Sequence, residues 1–310
     1  MGLLNETNTE ILNLLYLYYE HQDDEIRKDI IKKIIEKIPF GINPYYFIEM
    51  IEDSIVRLHL RNKVGLDLNF TKIIYDFKVF MEEPQNLMKG SYLVSRFSDN
   101  IFINYEDYQK KYFLLVEEFL KSYPNFTDLE RQEQFRKIID FLYCYKGFQG
   151  NFNDYNNPQN SFLTIVFETK KGIPISLSVL TLLFYEVLNK TLESRLNKKL
   201  EFIIYGVNLP GHFLLYFQSD SFSTFFDPFN FGNIVSSNDC YNYLLRIGYQ
   251  TNPESYINPS VPKIITRMLN NLYKIYSKKD ETKKEKTIES ILKILNYLIQ
   301  VEDKNTRFRY

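Results

Sequence analysis

His212 sits in the stretch NLPGHFLLYF, where a turn feeds an apolar run, and Asp227 follows in STFFDPF. The segment HFLLYFQSDSFSTFFD has the form of a β-hairpin that turns at QSDS. Pairing about that turn opposes Tyr216 to Ser223, Leu214 to Phe225 and His212 to Asp227. Directly opposed residues have Cβ atoms about 4.5–5.5 Å apart, so an imidazole and a carboxylate would lie within hydrogen-bond reach. A two-residue slip keeps both on one face, whereas a one-residue slip separates them. An Asp that accepts from one ring nitrogen fixes the tautomer and leaves the other free as a base. The pair reads either as the His–Asp half of a catalytic triad or as a structural cross-strand bond. The other two histidines, His21 and His59, have no neighbours of catalytic type and read as structural or solvated.

A triad also needs a nucleophile, placed where backbone N–H groups can stabilise an oxyanion. The N-terminus of a buried helix offers such donors and a favourable dipole. In this chain that place is KKGIPISLSVL, and Ser176 is its hydroxyl. Ser176 reads as a nucleophile or as a first-turn capping hydroxyl. Cys144, near the end of an amphipathic helix in FLYCYKGF, is expected to be a buried structural thiol. Cys240, at a helix start in SNDCYNYLL, is expected to be the more exposed of the two. Two cysteines at this spacing form neither a disulfide framework nor, with scattered histidines, a metal-ligand set. No metal and no cofactor are expected.

The elements that must position these residues follow from periodicity and turn chemistry. In TEILNLLYLYYEHQDDEIRKDIIKKIIEKI, apolar residues recur at helical spacing on both sides of an acidic turn, where Asp23 and Asp24 suit a helix start. Such a hairpin resembles a HEAT repeat. After FGINPYYF, helices are expected around Tyr45–Leu60 and Phe70–Met81, then Tyr105–Lys121 and Asp128–Tyr145. The Gly-, Asn- and Pro-rich KGFQGNFNDYNNPQNSF is a loop. IPISLSVLTLLFYEVL follows as a buried helix of about four turns with Pro174 in its first turn. The charged NKTLESRLNKK then leads to three strand-like segments, LEFIIYGV, HFLLYF and STFFDPF. Two final helices, KIITRMLNNLYKIYSKK and TIESILKILNYLIQ, are joined by KDETKKEK, read as a polar linker.

Composition limits the function classes. With 45% hydrophobic and 25% charged residues, the 310-residue chain reads as globular. A net charge of −1 gives no overall footprint for nucleic acid. The apolar runs are shorter than a membrane span and no signal peptide is visible, so no membrane partner and a cytoplasmic location are expected.

Several segments in order resemble the SirB-type branch of the transglutaminase-like superfamily. They are Gly147–Asn151 (GFQGN), Asn160–Leu163 (NSFL), Gly172–Leu177 (GIPISL), Pro210–Phe213 (PGHF) and Asp227–Phe229 (DPF). The resemblance covers the chain from about Lys89 onward. It implies a predominantly helical α+β fold. A transglutaminase-like (papain-like) core with an antiparallel sheet would span residues 86–255. A HEAT-like region (1–85) and a tetratricopeptide-like helical hairpin (256–310) would flank it. It also implies Ser176, His212 and Asp227 as catalytic positions, with Asn151, Asn160, Ser161, Gly172, Pro174, Pro210, Gly211 and Pro228 binding ligands or shaping the site.

Two departures from the family pattern stand out. NKTLESRLNKKLEF is longer than the usual connection and reads as a surface insertion, and Phe231 replaces a common glycine after Asp227. Transglutaminases open the helix with a cysteine, whereas this chain has Ile175 and Ser176. A serine lacks the thiolate population of a cysteine and depends wholly on its base and oxyanion hole. The favoured expectation is a non-catalytic protein that binds protein or peptide partners. The alternative is a hydrolase or acyl transferase using Ser176, His212 and Asp227.

Overall fold

Polar caps divide the N-terminal third into short helices. In the computed structural model, which describes residues 2–98, 104–279 and 281–307, α1 (Gly2–Glu20) and α2 (Asp24–Lys37) form the first hairpin. The Asp23 carboxylate accepts from the amides of Glu25 and Ile26, satisfying donors that a helix start leaves free. The single helix expected over Tyr45–Leu60 is two, α3 (Tyr45–Glu49) and α4 (Ser54–Lys63). The break has a local cause, because Asp53 caps the amides of Ile55 and Val56 and so starts a new helix. Helix α5 (Gly65–Phe80) follows. Ile11, Ile34, Ile48, Leu60 and Leu68 belong to the apolar cluster that these helices share.

The main core begins at Phe70 and extends to Leu295. It contains α6 (Leu87–Ser95), α7 (Tyr105–Ser122) and α8 (Arg131–Ile139). Helix α8 ends in a π-helical turn, Asp140–Tyr145, in which the Lys146 amide donates to the Phe141 carbonyl. Two short parallel strands, β1 (Gln149–Gly150) and β2 (Lys171–Gly172), bracket a 3-10 turn, Pro158–Ser161, and α9 (Leu163–Thr169).

Helix α10 runs over Pro174–Leu196, two turns beyond its apolar stretch, so much of the charged insertion is helix. Among the described residues it is the one helix long and apolar enough to cross a membrane, and two-thirds of that window is buried within the protein. The apolar run itself ends at Leu188, and the largely polar and charged stretch from Asn189 to Leu196 lengthens the helix rather than the run.

The sheet orders β3 (Ile203–Val207), β4 (Leu214–Gln218), β5 (Ser223–Asp227) and β6 (Asn233–Val235) side by side, all antiparallel. Alternation gives it two apolar faces. Leu215, Phe217 and Phe226 join the main core, where Phe135 of α8 packs against Phe217 and Phe226. Leu214 and Phe225 instead meet Cys240 and Leu244 of α11 (Ser237–Arg246). Helices α12 (Val261–Tyr276) and α13 (Thr282–Arg307) complete the described chain. The expected linker KDETKKEK is mostly the first turn of α13, and its Asp280 lies outside the described residues.

The β4–β5 register differs from the expected one by two residues. Tyr216 pairs with Phe225 and Gln218 with Ser223. The Ser219 amide donates to the Phe222 carbonyl, so Asp220 and Ser221 form the turn and its centre moves by one position. An even slip preserves the face of every side chain.

Candidate functional site

His212 lies two residues before β4, in a turn that its own amide closes on the Leu209 carbonyl at 3.3 Å. Asp227 ends β5. The His212 Nε2 is 3.1 Å from Asp227 Oδ2, with both side chains largely buried. The second oxygen, Oδ1, accepts from the Phe229 amide at 3.0 Å, which fixes the carboxylate plane. If Nε2 carries the proton, Nδ1 is the basic nitrogen. The imidazole has the Phe229 and Tyr243 rings as neighbours, with centroids 6.4 and 6.5 Å away.

Ser176 is fully buried at the start of α10. Its Oγ accepts from the Ile173 amide at 2.9 Å and donates to the Asn160 carbonyl at 2.6 Å. A further contact reaches the Ile173 carbonyl at 3.1 Å. None of these partners is His212, and the hydroxyl proton is committed to a backbone oxygen. Of the two roles open to this hydroxyl, the geometry is that of a cap.

The same hydroxyl is one end of a polar chain. The Asn160 side-chain amide donates to the Asp154 carbonyl, and its Oδ1 accepts from Asn151 Nδ2 at 3.0 Å. The Asn151 amide in turn donates to the Gly172 carbonyl. Asn151, Asn160, Gly172 and Ser176 thus form one network holding the 150–161 loop against α10. A Cβ on Gly172 would lie 2.7 Å from Ser176 Oγ, so glycine leaves room for the cap. A Cβ on Gly150 would lie 2.5 Å from the Phe229 carbonyl oxygen, which is how closely this loop approaches the turn after Asp227.

The remaining positions have structural placements. Pro174 is the first residue of α10, and Pro228 is buried at the start of the turn Pro228–Asn230. Ser161 is buried and its hydroxyl has no hydrogen-bond partner among the described residues. Gly211 adopts φ +78°, and a Cβ there would meet the Tyr243 hydroxyl at 2.5 Å. That hydroxyl donates to the Pro210 carbonyl at 3.0 Å. Phe231 adopts φ 58°, so it takes the left-handed conformation that a glycine would hold without strain.

The cysteines exchange their expected environments. Cys144 is exposed and Cys240 is 2% exposed. The π turn adds a residue to the helical repeat around Cys144, which rotates it off the apolar face. Cys240 faces the second side of the sheet, and burial, then Asp239 and Glu254, push its thiol up to about 12. Among the described residues no group of three or more His, Cys, Asp or Glu is arranged to hold a metal.

Three contributors escaped sequence reasoning. Arg267 of α12 donates from Nη1 to Asn208 Oδ1 and the Leu209 carbonyl, both at 2.5 Å, and from Nη2 to the His212 carbonyl at 3.0 Å. It pins the whole turn that carries the histidine. The signal was one cation inside the apolar stripe of ITRMLNNL, far from the site in sequence. Tyr243 is the second contributor. Tyr143 is the third; it bonds Thr181 of α10 at 2.5 Å, and burial, with the Asp227 charge adding to it, raises its phenol pKa.

Residues 106–270 match the profile of the transglutaminase-like superfamily. A UPF0162 protein of Xylella fastidiosa is 26% identical over 178 residues, 54% of this chain and 59% of that protein. One from Vibrio cholerae is 33% identical over 119 residues, 37% of this chain and 39% of its own length. F-box only protein 21 of Mus musculus is 27% identical over 240 residues, 68% of this chain and 36% of that protein. The chain thus spans less than two-thirds of the length of each of these relatives. No solved structure matches it. Because the matched segment holds α10, the whole sheet and the His212–Asp227 pair, and takes in more than half of the residues, this chain belongs to the transglutaminase-like superfamily.

Proposed function

We propose that the protein is a non-catalytic member of the SirB-type branch that binds protein or peptide partners and keeps His212–Asp227 as a pair that shapes its binding surface. One observation carries the reading: Ser176, at the position where transglutaminases place their nucleophile, is fully buried and donates its proton to the Asn160 carbonyl. A serine acts as a nucleophile only when a base can take that proton, and the base here has no hydrogen bond to it. In this reading a HEAT-like region (1–85) and a tetratricopeptide-like hairpin (256–310) flank a core of residues 86–255. Helical repeats of these kinds offer extended concave surfaces. The protein works in the cytoplasm.

The test is active-site labelling of the full chain with a fluorophosphonate, followed by intact-mass measurement. No adduct is expected on Ser176. A stoichiometric Ser176 adduct that disappears in His212→Ala would replace this reading with a serine hydrolase or acyl transferase. Partner capture by the full chain is expected to survive Asp227→Asn. Loss of capture in a folded Asp227→Asn chain would move the function to the central site.

A further inference from the structure

A cleft of about 700 Å³ lies between the turn preceding His212 and the C-terminal helices. Lys263, Arg267, Lys274, Lys278 and Lys279 line it, and no Asp or Glu does. In a chain of net charge −1, five cations gathered on one lining make a positive wall that concentrates anions. Lys263 has Asp303 as a partner at 2.8 Å. Arg267, Lys274, Lys278 and Lys279 have no carboxylate partner among the described residues.

Arg267 is the most telling of them. Its hydrogen bonds go to one carboxamide and two carbonyl oxygens, all neutral, so its partly buried charge is withdrawn from some of its water without a counter-charge among these partners. Burial holds its pKa below the ordinary arginine value. Burying an uncompensated charge is costly, and an anion brought to this wall would recover part of that cost. Thr266, also on the wall, has a buried hydroxyl with no hydrogen-bond partner among the described residues.

The spacing shows the shape of the anion. Lys263, Arg267, Asn270, Lys274 and Lys278 recur at three- to four-residue steps, a single face of α12 and its C-terminal extension. At ~1.5 Å per residue the stripe is about 22 Å long. One phosphate or carboxylate cannot span that length, whereas about seven residues of extended chain can. Asn156, Asn208, Asn270 and Asn271 stand among the cations. A carboxamide offers the acceptor and donors that pair with a peptide group.

We propose that this cleft binds an extended acidic peptide segment of a partner protein, with its carboxylates on Arg267, Lys274 and Lys278 and its backbone on the asparagines. The proposal rests on the binding role proposed above and names the chemistry of the partner. It also gives the arginine a second task, because the guanidinium that would meet the peptide also holds the His212 turn.

The test is fluorescence anisotropy of the full chain with a fluorescein-labelled peptide of about ten residues, long enough to fill the stripe, alternating Asp and Glu with Gly and Ser. Binding is expected, with weakening as salt rises. The double variant Lys274→Glu/Lys278→Glu should weaken binding by ~tenfold or more. Both lysines are exposed, so melting temperature and circular dichroism should stay unchanged. Arg267→Gln is the second variant and should weaken binding in the same direction.

No binding by the wild type, or wild-type affinity in the double variant, would overturn the cleft. Tighter competition by ATP or a single-stranded oligonucleotide than by unlabelled peptide would also overturn a peptide occupant. If the double variant still captures cellular partners as the wild type does, the cleft is rejected and the binding role stands. If the peptide binds as described while the full chain captures no partner, the cleft stands and the broader role fails.

Discussion

At Ser176 a single hydroxyl closes the first turn of α10 and reaches across to the Asn160 carbonyl. Its removal leaves a buried amide and a buried carbonyl without a partner. Loss of a cap costs about 1 kcal/mol and an orphaned buried acceptor about 1–3 kcal/mol. Ser176→Ala is therefore expected to lower stability by about 2–4 kcal/mol in urea unfolding while leaving partner capture intact. Cys240 supplies a pH signature. Burial pushes its thiol from an ordinary 9.0 to about 12, so the folded state keeps a proton that the unfolded state releases. That stability is fully present below pH 9 and is lost as pH rises from 9 to 12. The alkaline loss should shrink in Cys240→Ala, measured by unfolding midpoint against pH. In the native protein, iodoacetamide should modify Cys144 alone. Phe231 offers a stabilising change: at φ 58° a non-glycine residue costs roughly 1–2 kcal/mol. Phe231→Gly should recover about 0.5–1 kcal/mol of this.

At the scale of elements, the site depends on the 150–161 loop lying flush against the turn after β5. Gly150→Ala would push a methyl group to within 2.5 Å of the Phe229 carbonyl oxygen. The turn must then shift, taking with it the Phe229 amide that holds Asp227 Oδ1. A loss of about 1–3 kcal/mol is expected from such overpacking, with a changed His212 imidazole resonance by NMR as the local readout. This dependence shows why the site was partly legible. The types and order of the site residues are local facts, and so is the even parity that keeps His212 and Asp227 on one face of the hairpin. The turn centre was not legible, because QSDS allows Ser219–Asp220 or Asp220–Ser221 with equal ease. The π turn at Asp140–Tyr145 was not legible either, since no residue type demands it, and it reversed the reading of Cys144. Helix α6 escaped because Gly90, Ser91 and Ser95 interrupt its apolar period. They are small where neighbours come close: a Cβ on Gly90 would lie 2.8 Å from Ile265 of α12.

Across the whole molecule, α5 and Arg96, the residue that caps the C-terminus of α6, carry a buried charge cluster. Lys72 donates to Asp76 Oδ1 at 2.5 Å and Arg96 to Asp76 Oδ2 at 2.8 Å, while Arg96 also reaches Asn69 at 2.7 Å. Beside it the Tyr92 hydroxyl donates to the Gly41 carbonyl at 2.6 Å, tying the α2–α3 connection to the core. Asp76→Asn would leave two buried cations without a counter-charge and should cost about 3–5 kcal/mol, read by chemical denaturation. None of these partners is adjacent in sequence apart from Lys72 and Asp76 on one helix turn, so the cluster could not be foreseen from spacing. The same region is where the last element returns: α13 packs along α5, and Lys283 forms an ion pair with Asp67. A ribosome delivers α5 more than two hundred residues before α13. Domains fold as units, N-terminal parts first, at about 5–20 residues per second. For at least ten seconds or so at that pace, the nascent chain must carry the α5 surface uncovered, so this seam closes only after synthesis has passed residue 282. A protein assembled in that order needs protection while it is being made, and chains stalled in translation before α13 should be retained by chaperones.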